Sequence, residues 1–193
     1  MVRPGRDGLR GRVEVDETYI GAPEKGHLGR KHDKQTLIAI AAEEDGKKVG
    51  RIRMKCIPDV SRNVLHGFIR ESVESGSTIH TDGWLAYRDL EQYGYRHEVS
   101  TIMKSNKSVV ELMPRVHIVS SLLKRWLMGT HQGAVSAEHL DYYLDEYTFR
   151  FNRRTSRSRG KLFYRLVQQA VAVEPVPYCD LTKNPKRREP HDH

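Results

Sequence analysis

The stretch Thr36–Ala42 (TLIAIAA) constrains this chain more than any other. From Leu37 onward it carries no polar side chain, the pattern of a strand covered on both faces. A strand of that kind sits inside a sheet with a layer packed on each side.

The flanking segments fit such a sheet. Residues 12–20 (RVEVDETYI) alternate, with Val13, Val15 and Tyr19 on one face and Glu14, Asp16 and Thr18 on the other. That predicts a strand with one polar face. Asp45-Gly46 supplies a hairpin turn. The strand after it alternates Ile52, Met54 and Cys56 against Arg51, Arg53 and Lys55. Ser61 is a suitable N-cap for a helix in which Val64, Leu65, Phe68, Ile69 and Val73 recur at helical spacing. A short strand, STIHT, then ends at Asp82-Gly83.

Three strands on short connections, a crossover helix and a fourth strand place that last strand parallel to a neighbour. A small strand follows near Arg96–Ser100, and then the chain turns helical. One stripe is Val116, Val119, Leu123, Trp126 and Leu127; a second, started by Ser136, is Leu140, Tyr143, Leu144, Tyr147 and Phe151. A third is Leu162, Phe163, Leu166, Val167 and Ala170. These stripes, with Trp84 and Trp126, read as core. The fold class is α/β in the ribonuclease-H-like order: a mixed sheet of three antiparallel strands, a crossover helix and a parallel strand, followed by helices. Residues 12–173 form the predicted domain, after a glycine-rich linker over 1–11 and before a basic, proline-containing tail over 174–193.

Lys and Arg number 33 against 25 Asp and Glu, a net charge of +8, which favours an anionic partner such as nucleic acid. Cys56 and Cys179 form no CxxC pair, which excludes a cysteine-rich zinc ribbon and argues against a disulfide-stapled secreted fold. No apolar run approaches the ~18 residues of a membrane span, so no membrane partner is expected and the expected location is the cytoplasm.

Asp16 sits mid-strand on the polar face, suited to holding a cation or, equally, to solvation there. Glu17 must point to the opposite face, so only one of the two is a candidate ligand. Asp82 lies where a crossover strand ends, the edge at which open α/β sheets bind ligands, although Asp-Gly is also ordinary turn chemistry. Two carboxylates brought together from different strands repel unless a cation lies between them, and Mg²⁺ takes hard oxygen ligands of this kind. A pair of such ions activates an attacking water or 3′-hydroxyl and steadies the leaving oxygen.

His117, Ser121 and Lys124 fall at i, i+4 and i+7 on the helix after Pro114, so His117 is a candidate third ligand and Lys124 a phosphate contact. Glu111 and Glu138 are spare carboxylates. Arg150, Arg153, Arg154, Arg157 and Arg159 crowd a helix end, where they serve either phosphate contacts or the helix C-terminus itself. Arg51, Arg53 and Lys55 are open to two uses, phosphate contact or protection of an edge strand.

Five segments in order carry a resemblance: VDETYIG (15–21), HTDGWLAY (80–87), SLLKR (121–125), GTH (129–131) and FRFNRR (149–154). Together they resemble the bacterial insertion-sequence DDE transposases of the ISXO-like group, over about residues 12–155. The resemblance implies Asp16 and Asp82 as the first two metal ligands, and places His117, 35 positions after Asp82, at the third. Members often carry Glu there. A neutral imidazole removes one negative charge and is a softer ligand than Mg²⁺ prefers. The implied activity is metal-dependent DNA cleavage followed by 3′-hydroxyl strand transfer, with two Mg²⁺ ions (Mn²⁺ as substitute). Lys124, Arg125, Arg150, Arg153 and Arg154 are the expected DNA contacts, and double-stranded DNA, as element ends and target, the expected partner of a homo-oligomer. Two other readings share these residues: a ribonuclease-H-like nuclease that cuts without joining, and an inactive DNA-binding remnant. Relatives of this group also carry an N-terminal DNA-reading region, often a zinc ribbon, which the expected organisation of this chain lacks.

Overall fold

The computed structural model describes residues 7–21, 35–100, 108–131, 139–175 and 177. The chain divides into two compact units, Asp7–Val135 and Ser136–His193 with Met1–Arg6.

The first unit carries the sheet. Strands β1 (Arg12–Ile20), β2 (Thr36–Asp45) and β3 (Lys48–Ile57) precede helix α1 (Arg62–Ser72). Strands β4 (Thr78–Thr81) and β5 (Arg96–Val99) follow it, then helices α2 (Val109–Leu112) and α3 (Pro114–His131). The five strands lie in the order β3-β2-β1-β4-β5. The β1–β2 and β2–β3 pairs are antiparallel, while β1–β4 and β4–β5 are parallel. The mixed sheet and its crossover are those expected from the sequence. Gly46, at φ +57, makes the β2–β3 turn that an L side chain would strain.

β2 is buried from Leu37 to Ala42 because each face meets a layer. Leu37, Ala39 and Ala41 join Val13, Val15, Leu65, Phe68, Ile69 and Ile79 in an apolar core on the α1 side. Ile38, Ile40 and Ala42 face the other way, and α3 packs over β1 and β2 with Val116, Val119, Leu123 and Leu127 buried. Leu9, within the stretch read as linker, is fully buried in the α1-side core and bridges Val73.

Local details differ from expectation. Ser61 stands at the N-cap of α1 but its side chain makes no capping bond; its N–H instead donates to Asp59 Oδ1 at 2.8 Å. Val73 leaves the helix in extended conformation as its C-cap. β3 is an edge strand, and Arg51, Arg53 and Lys55 on it are held by the chain's own groups. Arg51 pairs with Glu43, Arg53 donates to the carbonyls of Ile52 and Asp7, and Lys55 pairs with Glu71. Those bonds suit an edge strand better than phosphate contact.

The second unit contains α4 (Leu140–Phe151) and α5 (Arg159–Val171). Leu140, Leu144 and Tyr147 of α4 are buried, and the expected start at Ser136 lies outside the described residues. The third stripe forms a helix but not core: Phe163 is 70% exposed and Val167 43%. Helical periodicity gives one apolar face; it does not supply what covers it. Among the described residues no helix is long and apolar enough to cross a membrane.

Candidate active site

Pairing places the two carboxylates. Arg12, Val13 and Glu14 of β1 stand beside Thr78, Ile79 and His80 of β4 in parallel register. The ladder ends there, and Asp82 follows just past the end of β4, near enough for its charge to act on the Asp16 carboxyl. Asp82 is steadied by its own turn, with Oδ1 accepting the Trp84 N–H at 2.9 Å.

The Asp16 carboxyl is pushed up to about 6. Burial is the main cause, the N–H of Glu17 pulls it back, and the charges of Asp82 and Glu14 push it further up against the pull of Lys124. Glu17 points to the opposite face, as strand alternation requires, and accepts the Tyr87 hydroxyl at 2.7 Å. Tyr87 is buried in the α1-side core, and burial with the adjoining Glu17 carboxylate keeps its phenol protonated well beyond the usual range.

A cleft of about 230 Å³ lies on the α3 side of β1, lined by Asp16, Thr18, His117, Ser120, Ser121 and Lys124 among others. Ser120 donates to the Thr18 hydroxyl at 3.2 Å across it. His117 and Lys124 therefore share one cleft with Asp16, as their helical spacing predicts, whereas Asp82 adjoins Asp16 without lining the cleft. The His117 Nε2 is buried with no hydrogen-bond partner. Burial lowers its pKa, Glu14 partly offsets this, and Lys124 adds to it, so the ring is neutral at physiological pH.

One member of this face gave no sign of its role in the sequence. Glu14 is fully buried, and Oε2 accepts the backbone N–H groups of Arg115 at 2.7 Å and Val116 at 3.0 Å. Its Oε1 accepts the Arg115 guanidinium at 2.9 Å. Arg115 also pairs with Glu44, and Glu44 with Arg12, whose guanidinium donates to Nδ1 of buried His80. The only hint available was parity, since Glu14 shares the Asp16 face.

The remaining candidates divide. Arg125 is exposed on α3. Glu111 caps its own short helix by accepting the Ser108 N–H at 2.7 Å, and Glu138 lies outside the described residues. In the second unit, Arg150 pairs with Glu146. The guanidinium of Arg153 stacks 3.9 Å from the Phe149 ring centre, and that of Arg154 4.0 Å from Phe151. Each also donates to the carbonyl of the residue on which it stacks.

The donor set suits a hard divalent cation at the carboxylate pair. Asp16 is half-buried near a second carboxylate, an arrangement whose ionised form a cation between them would stabilise. The unpartnered His117 nitrogen adds a second donor type in the adjoining cleft. Among the described residues, however, no three His, Cys, Asp or Glu side chains converge as a ligand group.

Comparison with known proteins agrees with the fold. A family model, the ISXO2-like transposase domain, matches residues 8–152, and the chain belongs to that family. The catalytic core domain of BIV integrase superposes with a TM-score of 0.51 at 15% identity, covering 84% of this chain and 98% of that one. That likeness supports the ribonuclease-H-like sheet. A Mos1 transposase, in a paired-end complex with its left transposon end, gives a TM-score of 0.38 at 14% identity, covering 83% of this chain and 52% of that one. No curated protein matches the chain. The transposase family found by comparison is the one that the five sequence segments resemble.

Proposed function

We propose that this chain carries out metal-dependent DNA strand cleavage and 3′-hydroxyl strand transfer. The observation that carries the reading is the half-buried Asp16, which shares one cleft with His117 and Lys124 of α3 and feels the charge of Asp82. Asp16 and Asp82 would hold the divalent cation, Mg²⁺ or Mn²⁺, with His117 as third donor. When bound, the cation supplies charge neutralisation at the phosphate and a more acidic attacking oxygen. The chain's own groups do the rest. Lys124 offers a cation to a phosphate along the same helix face, and Arg125 extends the positive surface. The Asp82 turn holds one carboxylate rigid through Trp84. Arg150, Arg153 and Arg154 are proposed as sequence-independent backbone contacts on double-stranded DNA, at element ends and target, with the protein acting as a homo-oligomer.

An oligonucleotide nicking and joining assay with Mg²⁺ and Mn²⁺ tests the reading. The parent should nick and then join, Asp16→Asn and Asp82→Asn should do neither, and His117→Ala should lose most cleavage. His117→Glu should retain cleavage and shift the preference toward Mg²⁺. Nicking without joining would identify a nuclease, and DNA binding without nicking an inactive remnant. If His117→Ala cuts as well as the parent, the histidine is only a helix residue.

A further inference from the structure

Helix α3 carries two of the groups proposed to act, yet it begins without a capping side chain of its own. The residue before Pro114 is Met113, which offers no acceptor for the first free N–H groups of the helix. Proline suits the first helical position, since the N–H it lacks would have no partner there. The next two N–H groups, of Arg115 and Val116, both find Glu14 Oε2, 101 and 102 positions away in sequence. Glu14 is on β1, two residues before Asp16, with side chains on the same face. One strand thus presents the proposed metal ligand and, one pleat away, the anchor that fixes where the facing helix starts.

We infer that Glu14 is a positioning residue for the reaction: its carboxylate fixes the start of α3 on the sheet and so sets the distance of His117 and Lys124 from Asp16. The inference rests on the cleavage reading above. A buried anion at a helix N-terminus is favourable through both the free N–H groups and the helix dipole. The Arg115 guanidinium, itself held by Glu44 and the Gly46 carbonyl, balances the charge. Three bonds to one carboxylate leave little freedom in that end of the helix. His117 is two residues beyond Arg115, close enough to the anchor for the Glu14 charge to act on its ring. Glu14 is hydrogen-bonded within the fold and is no ligand; it acts through α3.

Glu14→Gln in the full chain tests this with two readouts that need neither metal nor DNA. Amide hydrogen exchange at Arg115 and Val116 should accelerate about tenfold, the loss of roughly one hydrogen bond to a charged group. The β1–β4 amides should stay protected. The His117 ring signals that report distance, its nuclear Overhauser contacts with β1 protons, should weaken, because the ring's distance from the sheet changes. In nicking assays the turnover rate should fall about tenfold to a hundredfold with generic DNA affinity unchanged, as misplacement does. A purely structural cap would lower the melting temperature but leave the His117 signals and the rate per folded molecule as in the parent, and that result overturns the inference. Unchanged exchange overturns it too.

Should Glu14→Gln fail to fold, Glu14→Asp carries the test. It keeps the charge and draws the carboxylate back by one methylene from the N–H groups of Arg115 and Val116, so the same readouts should move the same way; no movement overturns the inference. A parent chain without Asp16-dependent nicking would sink the cleavage reading by itself. In that case the His117 signals decide whether Glu14 sets the geometry of the cleft.

Discussion

The two faces of β1 and β4 are built on opposite principles. Toward α1 the strands present Val13, Val15, Leu37, Ala39 and Ile79 to Leu65, Phe68 and Ile69, with no charge in the cluster. Toward α3, β1 and β4 present Glu14, Asp16 and His80, the first and last of them buried among ion pairs and hydrogen bonds, beside the apolar Ile38, Ile40 and Ala42 of β2. The apolar face gains stability roughly in proportion to the area it removes from water. The polar face holds Asp16 in a setting that disfavours its ionised form, which is how a site prepared for a cation differs from a site prepared for folding. Stability and chemistry are separated by the thickness of one strand.

Asp16→Asn should separate the faces most sharply. Cleavage should fall on the order of 10³-fold or more, since the proposed metal ligand is lost. Stability without divalent ions should rise. A carboxyl raised to about 6 binds its proton more tightly in the folded than in the unfolded chain. Between its ordinary range and about pH 6 the folded state therefore holds more proton, and stability declines as pH rises through that window. At pH 8 the parent bears the whole penalty, at most about 3 kcal/mol, and the variant none of it. Chemical denaturation at pH 4 and pH 8 checks this. A variant no more stable than the parent at pH 8 would mean that Asp16 ionises without strain.

Leu65→Ala on the other face should do the reverse. Leu65 is fully buried, and its truncation should cost about 3 kcal/mol in urea unfolding while the nicking rate per folded molecule stays at the parent value. A matching loss of rate would break the division of labour. Tyr87→Phe probes the crossing point, for its hydroxyl meets Glu17 on the apolar side of the strand that bears Asp16. Loss of that one bond should lower stability by about 1 kcal/mol. Nicking should drop only a few-fold, and a loss as large as that of Asp16→Asn would make Glu17 part of the site.

The smallest effect is expected away from both faces. Replacing Arg153 and Arg154 together with Ala should change sheet stability little, weaken binding to all DNA sequences alike and flatten the salt dependence. Each guanidinium already stacks on a phenylalanine and bonds a helix carbonyl. An unchanged salt slope would mean these bonds are their whole purpose.

The sheet was legible because alternation and an unbroken apolar run are local patterns. Val13 to Tyr19 and Leu37 to Ala42 announce their burial with no knowledge of a partner. The placement of His117 and Lys124 in one cleft was legible from helical spacing for the same reason. Glu14 was not, because a buried carboxylate and a solvated one have the same parity on a strand, and the groups that satisfy Glu14 lie about a hundred positions away. Arg51, Arg53 and Lys55 had the same ambiguity, and the groups that bond them, on Glu43, Asp7 and Glu71, lie elsewhere in the sequence. Ser61 shows the converse, a residue of capping type at a helix start where the side chain makes no cap. The α5 stripe marks a further limit, since a sequence gives the face of a helix and not its neighbour.

The short pairing between β1 and β4 also bears on how the gene can change. Only three residue pairs join the strands, and both Asp16 and Asp82 lie just beyond them. One codon inserted between Arg12 and Asp16 would turn every following side chain to the other face, burying Asp16 in the apolar core and delivering Glu17 to the cleft. Two codons would restore the face but move the carboxylate a full pleat past its neighbour. Loss or gain of codons is far better absorbed at the Gly46-Lys47 turn, which both strands leave exposed. Length variation among descendants of this sequence should therefore collect at that turn and be absent from the five residues that end in Asp16.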